Sequence, residues 1–167
     1  MNWSQEVAQQ AGVHWERQFR PRFEGMSDEE YFWEPGPGAW SVRPDAGGVL
    51  RADFAVPPPE PAPVTTIAWR LAHLNVLFEL QQVLIGGPAI DWQDATPPPA
   101  TAKESLDRLD GFVTAWVEGV GNLGDDGLAQ ATSTEGWTVA SMVLHQNREL
   151  IHHGAEIALL RDLYRLK

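Results

Sequence analysis

The chain has 167 residues, with 12 basic against 23 acidic side chains and a formal net charge of −11. It therefore lacks the positive charge that binding to nucleic acid or to an anionic membrane surface requires. Cysteine is absent, which excludes disulfides, thiolate metal ligands and cysteine nucleophiles. The length and a hydrophobic content of 43% predict a single globular domain over residues 1–167. No apolar run is long enough to span a bilayer, and the first residues lack the basic and apolar regions of a signal peptide, so a cytoplasmic location is expected.

The N-terminal third of the sequence changes from a helical pattern to a proline-rich stretch. Residues 2–24 have helical periodicity, and Ser27 begins a capping-box pattern that predicts a short helical turn after Gly25. Residues 34–63 hold eight of the thirteen prolines, which excludes a helix and allows at most edge strands or polyproline segments. An ordered loop packed on the core is expected, because the segment carries four large apolar residues: Trp40, Val42, Leu50 and Phe54.

Three further helices are predicted in the rest of the chain. Residues 65–85 have an apolar face and end at the Gly86-Gly87-Pro88 stop signal. Thr101 begins a second capping box, followed by a long amphipathic helix, and residues 121–136 have the composition of a loop. The last helix covers residues 138–166. No strand pattern is evident, so the predicted fold is all-α: an antiparallel four-helix bundle with a proline-rich ordered loop between helices 1 and 2.

One line of the last predicted helix combines apolar residues with a carboxylate and histidines. With His145 at zero, Glu149 falls at about 40° and His153 at about 80° around the helix. The core-facing Met142 and Leu160 fall at about 60°, between these two side chains. A carboxylate on a core-facing line is costly unless it is paired or bound to a cation. The i, i+4 spacing brings Glu149 and His153 close enough to hold one ion together.

A third ligand is available on the second long helix. His73 is the only histidine there and lies at the centre of the apolar face, whereas His14 does not converge with Glu149. Two histidines and one carboxylate suit zinc, and also nickel, manganese or iron(II), with open positions left for water or substrate. The sequence chemistry therefore favours a divalent metal site formed by His73, Glu149 and His153.

Other interpretations of these residues remain open. A lone core-facing histidine such as His73 is more often a hydrogen-bonded core residue than a ligand. Glu149 and His153 are also compatible with a buried ion pair reached by Arg70. Two loop tryptophans, Trp40 and Trp137, are placed to roof a cavity. Three side chains flank the same helical line and are substitute or rival ligands: His145, His152 and Glu156.

Three stretches of the chain resemble the DinB-like (YfiT-type) bundle proteins. They are residues 33–42, residues 67–75 around His73, and residues 137–164 with the sequence RELIHHGAEI at their centre. The similarity extends over essentially the whole chain. It implies a four-helix bundle with metal ligands on its second and last long helices, and by analogy a homodimer.

The pattern on the last helix is similar to that of one subgroup. Glu-x-x-x-His is characteristic of the mycothiol-dependent maleylpyruvate isomerase group, in which His, Glu and His hold zinc. The resemblance implies the same roles for His73, Glu149 and His153. A competing alignment anchored on Gly154 makes His152 the ligand and places a non-ligand at the other position. The first alignment is preferred because it leaves no ligand position empty.

The resemblance implies a metal-dependent enzyme that joins a low-molecular-weight thiol, such as mycothiol, to small electrophiles. A bound metal stabilises the thiolate of an incoming thiol, so a protein without cysteine can still perform thiolate chemistry. A metal-dependent hydrolase on the same ligands, with His145 or His152 as proton shuttle, is an alternative. A non-catalytic bundle that binds a small ligand or partner is another. The substrate depends on loops 34–63 and 121–136, whose shape does not follow from the sequence.

Overall fold

Helices dominate the fold, and a computed structural model describes all of residues 1–167. The helices are α1 (Trp3–His14), α2 (Asp28–Tyr31), α3 (Ile67–Gln81), α4 (Ala102–Asn122), α5 (Gly124–Leu128) and α6 (Val139–Tyr164). The strands are β1 (Val42–Pro44) and β2 (Leu50–Ala52), which form one antiparallel hairpin. Short 3-10 turns cover Arg20–Phe23, Gln82–Ile85 and Trp92–Asp94. No helix is both long and apolar enough to cross a bilayer.

Side-chain caps fix where four of the helices begin. In each case a hydroxyl accepts a hydrogen bond from the backbone N–H three residues further on, which satisfies one of the free donors of the first turn. Both predicted helix starts are confirmed, but only this half of each predicted capping box is present, and the Glu30 carboxylate bonds to Arg161 instead. The capping residues of α2, α3, α4 and α6 are Ser27, Thr66, Thr101 and Thr138.

The predicted helix over residues 2–24 is not a single α-helix. α1 ends at His14, a π-helical turn covers Trp15–Phe19, and a 3-10 turn containing Pro21 follows. The wider π-helical turn brings Phe19 against α6. The contact requires a glycine, because a Cβ on Gly154 would lie 2.3 Å from the Phe19 ring.

The proline-rich segment contains the hairpin that the sequence did not reveal. Val42 pairs with Ala52 across the two strands; Val42 is buried and Leu50 packs against the core. The expectation for Phe54 was wrong, because this side chain is 69% exposed. It follows the end of β2 and lies near Trp92 of a second loop, with ring centroids 6.5 Å apart.

Residues 121–136 are only partly the loop that was expected. α4 continues to Asn122, and α5 follows at once. Gly124 adopts a left-handed φ of 66°, which separates the two helices, and Leu128 of α5 is buried against the core. Asp125 of α5 accepts a hydrogen bond from the backbone N–H of Trp3, at the start of α1. An acidic side chain is favourable at that end of the helix dipole.

The four long helices pack in a closed order. α1 contacts α4 and α6, and α3 also contacts α4 and α6. The apolar stripe predicted for α4 is buried except for the partly exposed Val117. α3 and α6 are therefore neighbours, and they carry His73 and the Glu149–His153 pair respectively.

A buried ion pair anchors the C-terminal part of α6. Arg161 donates through Nε and Nη2 to the two carboxylate oxygens of Glu30, and through Nη1 to the backbone oxygens of Arg22 and Glu24. Only 3% and 6% of the two side chains are exposed. The pair ties α6 to α2, and the bonds of Nη1 tie α6 to the segment between α1 and α2.

Candidate metal centre

The structure brings together the three side chains that the sequence singled out as metal ligands. One potential ligand atom from each of His73, Glu149 and His153 lies within 4.8 Å of the other two. Oε2 of Glu149 is 3.1 Å from Nε2 of His153 and 3.7 Å from Nε2 of His73. The two imidazole rings are almost perpendicular, with centroids 4.7 Å apart.

Helix geometry and packing determine this convergence. Glu149 and His153 are one turn apart on α6, and His73 faces them from α3. The His73 ring is held by Trp69, one turn earlier, which stacks on it at 9° between the planes. The side chains of His153, Glu149 and His73 are 8%, 17% and 26% exposed, so the cluster is covered but still reachable from solvent.

Glu156 and Arg70 position His153 from the opposite side of its ring. Nδ1 of His153 lies 2.6 Å from Oε2 of Glu156 and 3.1 Å from Nη1 of Arg70. The shorter contact favours the tautomer with its proton on Nδ1, because an ionised carboxylate only accepts hydrogen bonds. Arg70 places Nη1 3.0 Å from the same oxygen. Arg70 therefore pairs with Glu156, and the structure does not show the Arg70–Glu149 ion pair considered from the sequence. A carboxylate behind a histidine that leaves Nε2 free is the usual support of a metal-binding imidazole.

Arg148 contacts Glu149 although its position on α6 points away from the core. Its angle of about 300° on the wheel predicts an outward side chain, and the side chain is largely exposed. The long chain nevertheless folds back, so that Nη2 donates to Oε1 of Glu149 at 3.2 Å. Nδ1 of His145 is 3.7 Å from the same Oε1 atom. The second oxygen of Glu149 is thus contacted from the solvent side, while Oε2 faces the two histidines.

The remaining histidines do not join the cluster formed with α3. His152 is exposed and contacts Glu156, and these two share His153 in a second group of potential ligands that lies entirely on α6. His14 packs edge-on against Phe19. Of the sequence alternatives, only His145 lies beside Glu149, and neither His152 nor Glu156 is grouped with His73.

The electrostatics favour a carboxylate between neutral imidazoles near neutral pH. Burial, reinforced by the nearby His153, lowers the pKa of His73 to about 4. Burial also lowers the pKa of His153, against the opposite effect of its hydrogen bond with Glu156. For Glu149, burial raises the pKa, but the hydrogen bond from Arg148 and the surrounding histidines together bring the pKa below its ordinary value. The donor set therefore fits a divalent ion, because two neutral nitrogen lone pairs and one anionic oxygen converge. The two nearby arginines contact carboxylate oxygens on the outer sides of the cluster, Arg70 at Glu156 and Arg148 at Oε1 of Glu149.

A cavity of about 390 Å³ adjoins His73. As expected, Trp40 lines it, whereas Trp137 lines a separate surface pocket beside His145. Sequence reasoning missed the contributions of Phe54 and Trp92 to this cavity. A large aromatic residue beside prolines, as in both loops, is the signal that could have indicated them.

The comparisons with known proteins identify one related family. The sequence model of the DinB superfamily matches residues 13–157, a range that includes all three converging side chains. No curated protein and no solved structure shows significant similarity to the chain.

Proposed function

The chain belongs to the DinB superfamily, and we propose that it binds one divalent metal ion through His73, Glu149 and His153. The observation that carries this proposal is the convergence of the three ligand atoms from two helices, each within 4.8 Å of the others. Zinc suits two imidazoles and one carboxylate best, and nickel, manganese and iron(II) are the alternatives. The architecture we propose for holding this site is an antiparallel four-helix bundle, supported by the closed packing order of α1, α4, α3 and α6.

The reaction we propose is transfer of a low-molecular-weight thiol, of the mycothiol type, to a small electrophile. A sulfur–carbon bond forms, the bond from that carbon to its leaving group breaks, and the thiol proton departs with the leaving group. A bound divalent ion would supply the positive charge that lowers the pKa of the thiol. The absence of cysteine supports a thiol that comes from outside the chain.

The residues around the site orient and shield the reactants. With an ion bound, Glu156 would hold the proton on Nδ1 of His153 and so leave the lone pair of Nε2, on the side of Glu149, for the metal. Arg70 fixes Glu156 in turn. The cavity beside His73 excludes water from an apolar substrate.

A metal-dependent hydrolase on the same ligands is the second candidate. The position of His145, 3.7 Å from the outer oxygen of Glu149, favours it, because an imidazole there lies between the site and solvent, where a proton shuttle is needed. The two candidates differ in their need for thiol. Turnover of an electrophile such as 1-chloro-2,4-dinitrobenzene only when a thiol is added supports the transferase, and thiol-independent ester hydrolysis supports the hydrolase.

The metal content of purified variants tests the site. We expect one metal equivalent in the wild type and none in His73→Ala or His153→Ala, because each change removes one of only three ligands. His152→Ala is the matched control, since this neighbour of His153 is exposed and outside the cluster; His14→Ala is a second control. Full occupancy in His73→Ala would mean that the trio is wrong.

Loss of metal in His152→Ala with retention in His153→Ala would support the competing alignment. A wild-type protein that is metal-free, and whose melting temperature does not change on addition of zinc, would instead support a non-catalytic bundle that binds a small ligand. The homodimer implied by the resemblance stays a prediction, and sedimentation equilibrium would test it.

A further inference from the structure

The cavity beside His73 is built from one face of α3 and two irregular loops. Its floor follows successive turns of α3, from Trp69 through Ala72 and His73 to Val76. The 51–58 segment, which belongs to the proline-rich stretch, forms one wall, and residues 92–98 form the other. A volume of about 390 Å³ lies in the range of small-molecule sites.

Two exposed aromatic side chains stand opposite each other on these walls. Phe54 is 69% exposed and Trp92 is 56% exposed, and their ring centroids are 6.5 Å apart. Large aromatic groups that remain in water on two separate loops forgo the free energy that burial would give them. An apolar molecule seated between the loops would cover both rings.

Most polar groups along the cavity already have partners. The exception is Arg51, which lines the cavity with a largely exposed side chain and contacts Asp45 only at 3.5 Å. Oδ2 of Asp53 accepts from the backbone N–H of Ser41 and from Nε of Arg43. Nε1 of Trp69 donates to the backbone oxygen of Asp53, and the Thr96 hydroxyl donates to a glutamate of α3. Away from the exposed Arg51, a charged or strongly polar ligand would therefore lose its hydration without gaining hydrogen bonds.

Small side chains leave the space between the aromatic walls open. Alanines at positions 52, 55, 72 and 95 line the cavity together with Trp40 and Trp69, whose ring centroids are 5.9 Å apart. Flat rings stack favourably on indole faces. His73 belongs to both the cavity and the metal-ligand cluster, so a molecule in the cavity is next to the cluster.

We propose that this cavity binds neutral, flat aromatic compounds, and that those carrying a leaving group are the class of electrophile this protein acts on. The assignment of these compounds as substrates rests on the proposed function. The binding itself depends only on the cavity.

Titration with the neutral fluorescent probe N-phenyl-1-naphthylamine tests the proposal, on both metal-loaded and chelator-treated full-length protein. We expect saturable 1:1 binding with a rise in probe fluorescence in both forms. Phe54→Ala/Trp92→Ala should bind the probe at least tenfold more weakly. Trp3→Ala, which removes an indole that is 57% exposed but outside the cavity, should bind it like the wild type. Both sets of changes are at exposed positions, and circular dichroism would verify the fold.

Failure of this inference is distinguishable from failure of the metal assignment. Absence of saturable binding, or equal affinity in the double variant and the wild type, overturns the cavity assignment whatever the metal content. Probe binding without any metal in the wild type overturns the proposed function and leaves the cavity in place. Displacement of the probe by naphthalene but not by pyruvate supports the neutral aromatic class, and displacement by pyruvate overturns it.

Discussion

α6 takes part in two sites that contain a carboxylate largely shielded from solvent, Glu30 of α2 in one and Glu149 of α6 itself in the other. The two sites are built in opposite ways. Near the C-terminal end of α6, Glu30 meets the permanent cation of Arg161, which uses every nitrogen to bond buried oxygens. In its middle, Glu149 meets His73 and His153, two imidazoles whose pKa values are lowered. The first site is neutral and complete within the chain. The second places a carboxylate between two neutral imidazoles, and the metal ion that we propose would complete it.

Removal of the Arg161 cation, which pairs with Glu30, should have the largest effect on stability. We expect Arg161→Met to lower the free energy of unfolding by about 3–5 kcal/mol, because Glu30 would remain buried without a partner. Metal content of the folded fraction should not change. Urea unfolding measures the effect, and Arg165→Met is the matched control on the same helix, since the Arg165 side chain is exposed. Equal stability of the two variants would refute the difference we draw between the sites.

Removal of the negative charge of Glu149 should instead weaken metal binding and leave the stability of the metal-free protein unchanged. We expect Glu149→Gln to lose at least about 100-fold in metal affinity, more than loss of an outer partner usually costs, with the metal-free protein as stable as the wild type. Glu149→His should retain metal, because imidazole is an acceptable ligand at the same spacing. Competition with a metal-sensitive dye measures both affinities. If Glu149 were only an ion-pair partner, Glu149→His would be destabilised and Glu149→Gln would hold metal as tightly as the wild type.

Glu156 should matter less than Glu149, since it acts through His153. We expect Glu156→Gln to weaken metal binding by about 10–100-fold, because the amide orients the ring less well and leaves Arg70 without its carboxylate. The same dye competition applies. Asp162→Asn, at an exposed carboxylate of the same helix, should leave the affinity unchanged. An unaltered affinity in Glu156→Gln would show that His153 needs no support from this side.

The smallest expected effect concerns pH. In the unfolded chain His73 takes up a proton near pH 6.5, whereas in the folded protein it does so only near pH 4. The unfolded state therefore binds more protons in this window, and the free energy of unfolding of the metal-free protein should fall as the pH drops from about 7 to 5, by roughly 1–2 kcal/mol. His73→Gln should reduce this slope, and His152→Gln should not. Equal slopes in wild type and His73→Gln would contradict the depressed pKa of His73.

The sequence predicted those parts of the molecule that depend on local rules. Capping residues such as Thr101 and the stop at Gly86 act within a few positions, so the helix ends followed from them. The grouping of Glu149 with His153 also followed from the period of a single helix. Neither the π-helical turn at Trp15–Phe19 nor the aromatic cavity could be predicted in the same way, because these depend on contacts between segments far apart in the chain.

The role of Arg70 shows the same limit within the site. Its presence near the ligands could be inferred from its place on α3, three residues before His73. The choice between Glu149 and Glu156 as its partner depends on how far α3 is shifted along its axis relative to α6. A helical wheel does not show this shift. Similarly, Arg148 reaches Glu149 only because a long side chain can bend back along its own helix.

The placement of the three proposed ligands on only two helices also has a consequence for the mechanics of the fold. The chain between residues 73 and 149 contains all of α4 and α5, so an ion held by His73, Glu149 and His153 would close this stretch into a loop with a removable cross-link. Opening of α3 away from α6 would then require release of the ion, and amide hydrogen exchange in both helices should slow as free metal rises. Since an ion that binds only the folded chain stabilises it in proportion to the logarithm of its concentration, metal supply would set the lifetime of the folded protein as well as its chemistry.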